Sequence, residues 1–242
     1  MVMKKYYELH EEFWQGLIEK GHVSWDKESE KDLLLRERNS ILLKYLDGRK
    51  FYNALDLGCG SGSQSFYLSS LGINCLGIDI SQTAINEGKR LANKLDMHIE
   101  FVCGDACDFN LDKKFDLITD SCLLHCLVLE EDRSKFFDRI KAHLTKDGKT
   151  FIYTMITDEG VNPFDELDYF HFDKDGILWS EGPDRFNVEW TIINNKKYFP
   201  HRRVYSLEKQ KEEIITNGFK ILSDEVLISD DCRNKTYVAW IE

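Results

Sequence analysis

The sequence predicts an α/β protein built on a doubly wound parallel sheet, and three observations carry that prediction. Short apolar runs alternate with longer amphipathic segments between residues 51 and 156, the order that places helices on both faces of a parallel sheet. Gly58, Gly60 and Gly62 follow the first of these runs directly, in ALDLGCGSGSQS at 54–65. The later runs end in Asp79, Gly104-Asp105-Ala106 and Asp120-Ser121, a polar residue at each strand end. The expected sheet has seven strands with an antiparallel last strand. An N-terminal helical cap covers 1–48 and an insert covers 157–203 after the fifth strand, all within one domain, 1–242.

In chain order, residues 5–20 and 28–47 read as two helices. In the second, Leu33, Leu34, Ile41, Leu42 and Tyr45 recur at roughly helical spacing. FYNALDL at 51–57 is a strand that enters the glycine turn, and a helix over 63–71 ends at Gly72. INCLGID at 73–79 is a second strand, after which Ser81 caps a helix running to 95. HIEFVCGD at 98–105 and FDLITD at 115–120 are the third and fourth strands. A helix over 131–144 follows, and KDG at 146–148 turns into a fifth strand, 149–156. Residues 157–203 break the alternation, being aromatic, acidic and irregular. A helix over 206–217 restores it before strands at 219–228 and 235–242, whose short link allows only antiparallel pairing.

Composition narrows the function. Hydrophobic residues make up 42% of the chain, enough for a substantial core. Acidic residues outnumber basic ones 43 to 32, a net charge of −11 that argues against a protein tracking nucleic-acid phosphates. No apolar run approaches a membrane span. The start, MVMKKYYELHEEFW, lacks the apolar segment of a secretory signal. Seven cysteines without a short framework spacing read as reduced thiols, and hence as a cytoplasmic protein. The expected partner is a small molecule, with neither nucleic acid nor membrane involved; oligomeric state is left open.

The glycine turn fits poorly with the two commonest phosphate-binding patterns. A dinucleotide fingerprint starting at Gly58 and Gly60 needs its third glycine at residue 63, which is Ser63, and no G-K-[ST] closes a phosphate loop. In an open α/β sheet, however, ligands lie beyond the carboxyl ends of the strands, where strand order reverses. There Asp79 can accept both hydroxyls of a ribose, and Asp105 can receive an amino group such as that of adenine. Asp120-Ser121 lies over the reacting end.

DLGCGSG, GIDIS, GDACDF, FDLITDSCLLHCL and LTKDGKTFIY, in this order, resemble the successive motifs of the class I S-adenosylmethionine-dependent methyltransferases, a Rossmann-like family. The resemblance covers residues 50–156 and extends more weakly through the final strand pair. It is nearest to small-molecule methyltransferases, including the thiopurine and tellurite-resistance kinds. It implies S-adenosylmethionine as cofactor, with Gly58 and Gly60 beneath its methionine part and Asp56 and Cys59 in the same motif. It implies Asp79, beside Ile80, on the ribose hydroxyls, and Gly104, Asp105 and Ala106 at the adenine. Asp120 and Ser121 then stand near the sulfonium and the methionine amine. The implied reaction is in-line methyl transfer to a nitrogen, oxygen or sulfur of a small molecule. The alternatives are methylation of a protein partner, or a non-catalytic cofactor-binding regulator on the same fold.

The acceptor side is less sharply marked. Asp120-Ser121-Cys122-Leu123 lacks the N/D-P-P-Y/F stretch of many enzymes that methylate exocyclic amines of nucleic-acid bases. His125 is the candidate general base, since imidazole titrates near neutral pH, or else a wall of the cofactor pocket. Cys103 with Cys107 and Cys122 with Cys126 are spaced for thiol or metal chemistry on a helix, yet lack C-x-x-C; small buried apolar side chains, and no metal, is the simpler reading. Tyr6, Trp14 and Trp25 suit a lid over the cofactor or plain packing. Arg36 suits a carboxylate partner or the surface. His201, Arg202 and Arg203 suit an anionic substrate group, Arg203 above all, or a solvated basic turn. Residues 158–190 carry ten acids against Lys174 and Arg185, together with aromatics that include Trp179 and Trp190. That mixture suggests an acceptor pocket for a small amine, or for an aromatic thiol or hydroxyl compound; its bland counterpart is a solvated acidic surface over an aromatic core.

Overall fold

The computed structural model describes residues 5–25, 30, 37–164, 167–182, 190–229 and 235–242. A single 3-10 turn at Tyr6–Leu9 leads into α1 (His10–Glu19), and α2 (Glu37–Leu46) precedes the sheet. Then come β1 (Asn53–Leu57), α3 (Ser63–Ser70), β2 (Asn74–Asp79), α4 (Gln82–Leu95), β3 (Glu100–Cys103), β4 (Phe115–Ser121), α5 (Glu130–His143) and β5 (Leu144–Ile156). The insert supplies β6 (Phe170–Phe172), β7 (Ile177–Glu181), β8 (Thr191–Ile193) and β9 (Lys196–Arg203). The chain closes with α6 (Leu207–Thr216), β10 (Ile221–Ile228) and β11 (Lys235–Ile241).

The main sheet has seven strands in the order β10-β11-β5-β4-β1-β2-β3. β1 to β5 run parallel, while β11 is antiparallel to both of its neighbours, β5 and β10. The chain winds outward from β1 in one direction and then from β4 in the other, so the reversal point lies between β1 and β4. That is where an open α/β sheet leaves a crevice at its carboxyl edge.

Local sequence accounts for these elements. β1 buries Ala54, Leu55 and Leu57, and β4 buries Phe115, Leu117 and Ile118, as expected of strands covered on both faces. Ser81 Oγ accepts from the Ala84 N–H at 3.0 Å and caps α4, whose buried face carries Ala84, Ile85, Leu91 and Ala92 at helical spacing. α5 buries Phe136, Phe137 and Ile140 completely, each worth roughly 1.5–3 kcal/mol of transfer free energy.

Of the expected helix 28–47, Glu37–Leu46 is helical, and residues 26–29 and 31–36, Arg36 among them, lie outside the described residues. Two expectations need correction. KDG at 146–148 does not precede the fifth strand but lies in a bulge within it. Pairing jumps from Phe115↔Leu144 to Leu117↔Lys149, so several β5 residues face two of β4. The insert is not irregular, since β6, β7, β9 and β8 form a second, antiparallel sheet. Its strands are short and charged, and the β7–β9 register shifts where Pro200 faces Trp179, so no clean alternation marks them in the sequence.

The two sheets share one core. Ile177 and Phe199 of the insert belong to the same buried cluster as Tyr6, Tyr7, Leu55, Ile118 and Leu124. β9 packs against a 3-10 turn at Leu124–Cys126 and against the turn before α1. This contact carries the end of β9 to the carboxyl edge of the main sheet. Among the described residues no helix is long and apolar enough to cross a membrane.

Candidate active site

The glycine turn after β1 is shaped by what presses on it. Gly58 and Gly60 have φ of +67° and +56°, values that L side chains rarely adopt. A Cβ on Gly58 would meet Leu123 Cβ at 2.7 Å, and one on Gly60 would meet the Trp14 ring at 2.7 Å. Gly62 packs instead on the core ring of Phe101. Of the glycines, two therefore serve the site and the third serves the helix behind it, which is why their spacing departs from a dinucleotide loop.

Asp79 ends β2 against this turn. Its Oδ2 accepts from the Gly60 N–H and its Oδ1 from the Ser81 N–H, both at 2.8 Å. Burial pushes its carboxyl up to about 6 despite those two donors. Asp105, with Ile80, Gly104 and Ala106, lines a smaller cavity of about 40 Å³ that Asp79 also borders. Asp105 Oδ2 accepts from Lys5 Nζ at 2.8 Å and from the Tyr7 hydroxyl at 3.0 Å, so the N-terminal segment holds this carboxylate.

Two predicted cofactor residues are placed otherwise. Asp56 is fully buried and accepts from Ser65 Oγ at 2.6 Å and Thr119 Oγ1 at 3.0 Å, tying β1 to α3 and β4 instead of facing a cavity. Asp120 is also fully buried; its Oδ1 accepts from the N–H groups of Leu123 at 2.8 Å and Leu124 at 3.2 Å and so starts the 124–126 turn. Its second oxygen has no hydrogen-bond partner, and burial pushes the group up to about 7. Ser121 is the last residue of β4.

A cavity of about 350 Å³ opens from Gly58, Cys59, Gly60 and Asp79 and is closed by three other parts of the chain. The N-terminal segment gives His10, Trp14 and Trp25, the stretch after β4 gives Cys122, His125 and Cys126, and β9 gives His201 and Arg202. Met155 and Phe164 complete the wall. Trp14 and Trp25 thus border the cavity while packing with Leu17 and Ala84, and Glu11 fastens this segment. Glu11 accepts from Ser81 Oγ and Thr83 Oγ1, both at 2.6 Å, and clamps α1 to the start of α4. Tyr6 instead braces the wall: its hydroxyl accepts from the Val128 N–H at 2.6 Å.

His125 reaches the cavity but is not set up as a base. Its Nδ1 accepts the backbone N–H of Met155 at 3.2 Å, and a backbone amide can only donate. The neutral ring therefore carries its proton on Nε2. Burial first, and the Arg202 and Arg133 charges next, hold the imidazole well below its ordinary range. His10 and His201 are likewise lowered by burial, to about 3 and about 2. Cys126 is pushed up to about 11 by burial, so it is a thiol. No cluster of metal-ligating residues exists among the described residues.

The substrate residues expected from the insert are misplaced. Trp179 borders no part of the cavity; its Nε1 donates to Asp173 Oδ2 at 2.7 Å and its ring packs on the core. Trp190 is 52% exposed, with Lys197 Nζ 4.7 Å from its ring centroid. Arg203 turns away from the cavity, donating to the Tyr205 hydroxyl at 2.8 Å and lying 3.7 Å from Glu130. Successive residues of a strand face opposite ways, so one of Arg202 and Arg203 had to point outward. The sequence alone does not say which. His10 and Met155 went unmarked for a different reason: only the packing of α1 and β5 brings them to the cavity.

Comparison with known proteins agrees with this geometry. Residues 54–148 match the family profile described as a methyltransferase domain. The cypemycin N-terminal methyltransferase of a Streptomyces species is 34% identical over 108 residues, 44% of this chain and 42% of that protein. The chain thus spans less than half of that relative. The ubiquinone biosynthesis O-methyltransferase of Coxiella burnetii is 28% identical over 191 residues, 71% of this chain and 79% of that one. The solved structure of the Burkholderia thailandensis 1,6-didemethyltoxoflavin-N1-methyltransferase, with S-adenosylhomocysteine bound, superposes with a TM-score of 0.65 at 16% identity, covering 97% of this chain and 86% of that one. Residues 54–148 thus resemble a methyltransferase domain, and the fold is that of a solved methyltransferase with S-adenosylhomocysteine bound.

Proposed function

We propose that this protein transfers a methyl group from S-adenosylmethionine to a small molecule held in the cavity between the glycine turn, α1 and the end of β9. The observation that carries the reading is the continuity of that cavity. The turn at Gly58–Gly60 and the half-buried carboxylate of Asp79 stand at one side, and an enclosed compartment with Phe164, His125 and Arg202 stands at the other. The residues suit the cofactor: Asp79 offers acceptors for ribose hydroxyls, the positive-φ glycines let the ligand approach the main chain, and Asp105 with Ala106 borders the adenine side. When bound, the cofactor supplies an electrophilic methyl carbon on a sulfonium. What the chain contributes is positioning and exclusion of water, which in such displacements supply much of the acceleration. On this reading Gly58, Cys59, Gly60, Asp79, Ile80, Gly104, Asp105 and Ala106 hold the cofactor within a single domain, while Asp56 and Asp120 brace the strands beneath it.

The test has two parts. Calorimetry with S-adenosylhomocysteine should show binding, with NAD silent in the same assay. A metabolite extract incubated with labelled methyl donor should then yield a methylated small molecule, identified by mass. The similarity to an N-terminal methyltransferase favours a second reading, in which the acceptor is the amino terminus of a peptide. Label that enters only peptides or proteins would select it, and absence of both binding and transfer would refute both.

A further inference from the structure

The cavity contains a fixed cation that has no counter-ion among the described residues. Arg202 is 8% exposed, and its side chain makes one hydrogen bond, from Nη1 to the His201 carbonyl at 2.9 Å. Its guanidinium also lies 6.0 Å from the Trp25 ring centroid. Among the described residues no carboxylate lies within ion-pair distance of it. The other two buried arginines are each met by one: Arg133 pairs with Glu213, its Nη2 to Oε2 at 2.6 Å, and Arg203 lies 3.7 Å from Glu130. An unpaired buried charge is costly, and removal of its partner typically destabilises by several kcal/mol. A protein with a net charge of −11 has many acids from which a partner could have come. A guanidinium carries five N–H donors in a planar fork that matches a carboxylate or another flat anion.

The surroundings of Arg202 point the same way. Among the described residues Asp79 is the only carboxylate lining the cavity, and it stands at the ribose side beside Gly60. His125 is buried, and His10 and His201 are half-buried; His125 presents an Nε2–H because its Nδ1 is taken by the Met155 amide. Trp14, Trp25 and Phe164 supply flat apolar walls.

Resting on the methyltransferase reading above, we propose that Arg202 recognises the anionic group of a flat small acceptor, a carboxylate or an ionised hydroxyl or thiol, with His125 donating a hydrogen bond beside it. The acceptor is then held as an anion. Where the ionised atom is itself the nucleophile, its electron pair forms the new bond to the methyl carbon while the carbon–sulfur pair stays on sulfur. Charge is neutralised on both partners and no proton is left to remove. A cavity whose buried histidine is arranged as a donor has no need of a base for such an acceptor.

The experiment uses the full chain saturated with S-adenosylhomocysteine and follows three probes by ligand-observed NMR: benzoate, benzyl alcohol and benzylamine. Benzoate should bind at least tenfold more tightly than benzylamine. Arg202→Gln should weaken benzoate at least tenfold while S-adenosylhomocysteine affinity stays within about threefold; Arg202→Lys, which keeps the charge and loses the fork, should fall between. Melting curves of both variants establish that they fold, and Arg202→Lys carries the comparison if the Gln variant does not. Benzylamine binding as well as benzoate, or benzoate indifferent to both substitutions, overturns the proposal and leaves the methyltransferase reading standing. So does an Arg202→Gln variant that loses S-adenosylhomocysteine instead of benzoate, because Arg202 would then hold the methionine carboxylate of the cofactor. Failure of the unaltered protein to bind S-adenosylhomocysteine overturns the methyltransferase reading, and this proposal with it.

Discussion

Asp120→Asn should make the ligand-free protein more stable at neutral and alkaline pH. Asp120 Oδ1 accepts two backbone N–H groups, at 2.8 Å and 3.2 Å, while Oδ2 is buried without a partner. An asparagine can keep the first oxygen in place and puts a neutral amide where the unpartnered charge was. The magnitude follows from linkage. Burial raises the carboxyl from its ordinary 3.8 to about 7, and a rise of that size corresponds to about 4 kcal/mol at full ionisation. The native state binds the proton more tightly than the unfolded chain does. Stability from this group is therefore fully present below pH 3.8 and is lost as pH rises through 7. The variant lacks that slope. Urea unfolding of both proteins between pH 5 and 8.5 measures it: the variant's advantage should grow across this range and approach about 2–4 kcal/mol, the lower bound allowing for an unpartnered amide. A stability difference that is flat with pH refutes the argument, since it would mean that Asp120 does not carry a raised proton affinity in the folded state.

Asp79→Ala should weaken S-adenosylhomocysteine binding roughly ten- to a hundredfold in calorimetry, the loss of charge-assisted hydrogen bonds to a ribose of about 1.5–3 kcal/mol; unchanged affinity would mean that the ribose lies elsewhere. Because burial sets Asp79 near 6 and ribose hydroxyls are accepted best by the ionised form, affinity for the same ligand should decline as pH falls below 6 and be flat above 7, and a decline on the alkaline side would exclude this group as its cause. Arg133→Met should destabilise by about 3–5 kcal/mol in urea, because it strands Glu213 and frees the Leu124 and Leu127 carbonyls that the guanidinium holds at 2.6 Å and 2.8 Å; a change under about 1 kcal/mol would show the pair to be dispensable. Trp190→Ala should stay within about 0.5 kcal/mol of the parent and leave S-adenosylhomocysteine binding unaltered, and a large effect on either would return this ring to the site.

The parallel half of the fold was legible because its signals are local. Each strand from β1 to β5 is a short apolar run followed by a turn residue, and Ser81 marks the start of α4 within a few residues of Asp79. The insert was not legible, because the pairing of β6 to β9 is long-range and its strands are brief. The stretch KKYFPHRR places lysines, arginines and a proline where alternation should show. KDG at 146–148 misled for a related reason: it is a turn by composition, but neighbouring strand pairs on each side keep it inside β5 as a bulge. Composition misled on charge as well. The insert's acids suggested a cation site, yet Glu181 pairs with Lys196 at 2.7 Å, Asp158 with Lys235 at 2.6 Å, and Asp173 holds the indole of Trp179. These three build the second sheet and fasten it, and none of the three lines the cavity.

The residues proposed for the cofactor stand where the sequence order suggested and those proposed for the acceptor do not, and the two groups differ in how the chain assembles them. Asp79 and Asp105 stand at strand ends that follow one another in sequence, so the order of motifs already implies their neighbourhood. Trp14, His125, Phe164 and Arg202 meet only because α1 and β9 both fold back over the end of β4. What the sequence withheld most completely was burial, and burial is what gives these groups their chemistry. Asp79, Asp120, the three imidazoles and Arg202 are ordinary polar residues by type. In the fold they become two carboxylates of raised proton affinity, rings held neutral and a guanidinium with no carboxylate partner among the described residues, all near the carboxyl edge of one sheet. Cys122, non-glycine and at φ of +73°, adds backbone strain at the same edge. By contrast, the buried Arg133 beneath α5 has its carboxylate and its carbonyls in place. Thr150 Oγ1 and Arg203 Nε are also buried without a partner, but several such departures meet at one cavity, the pattern expected of a site that is completed by its ligands.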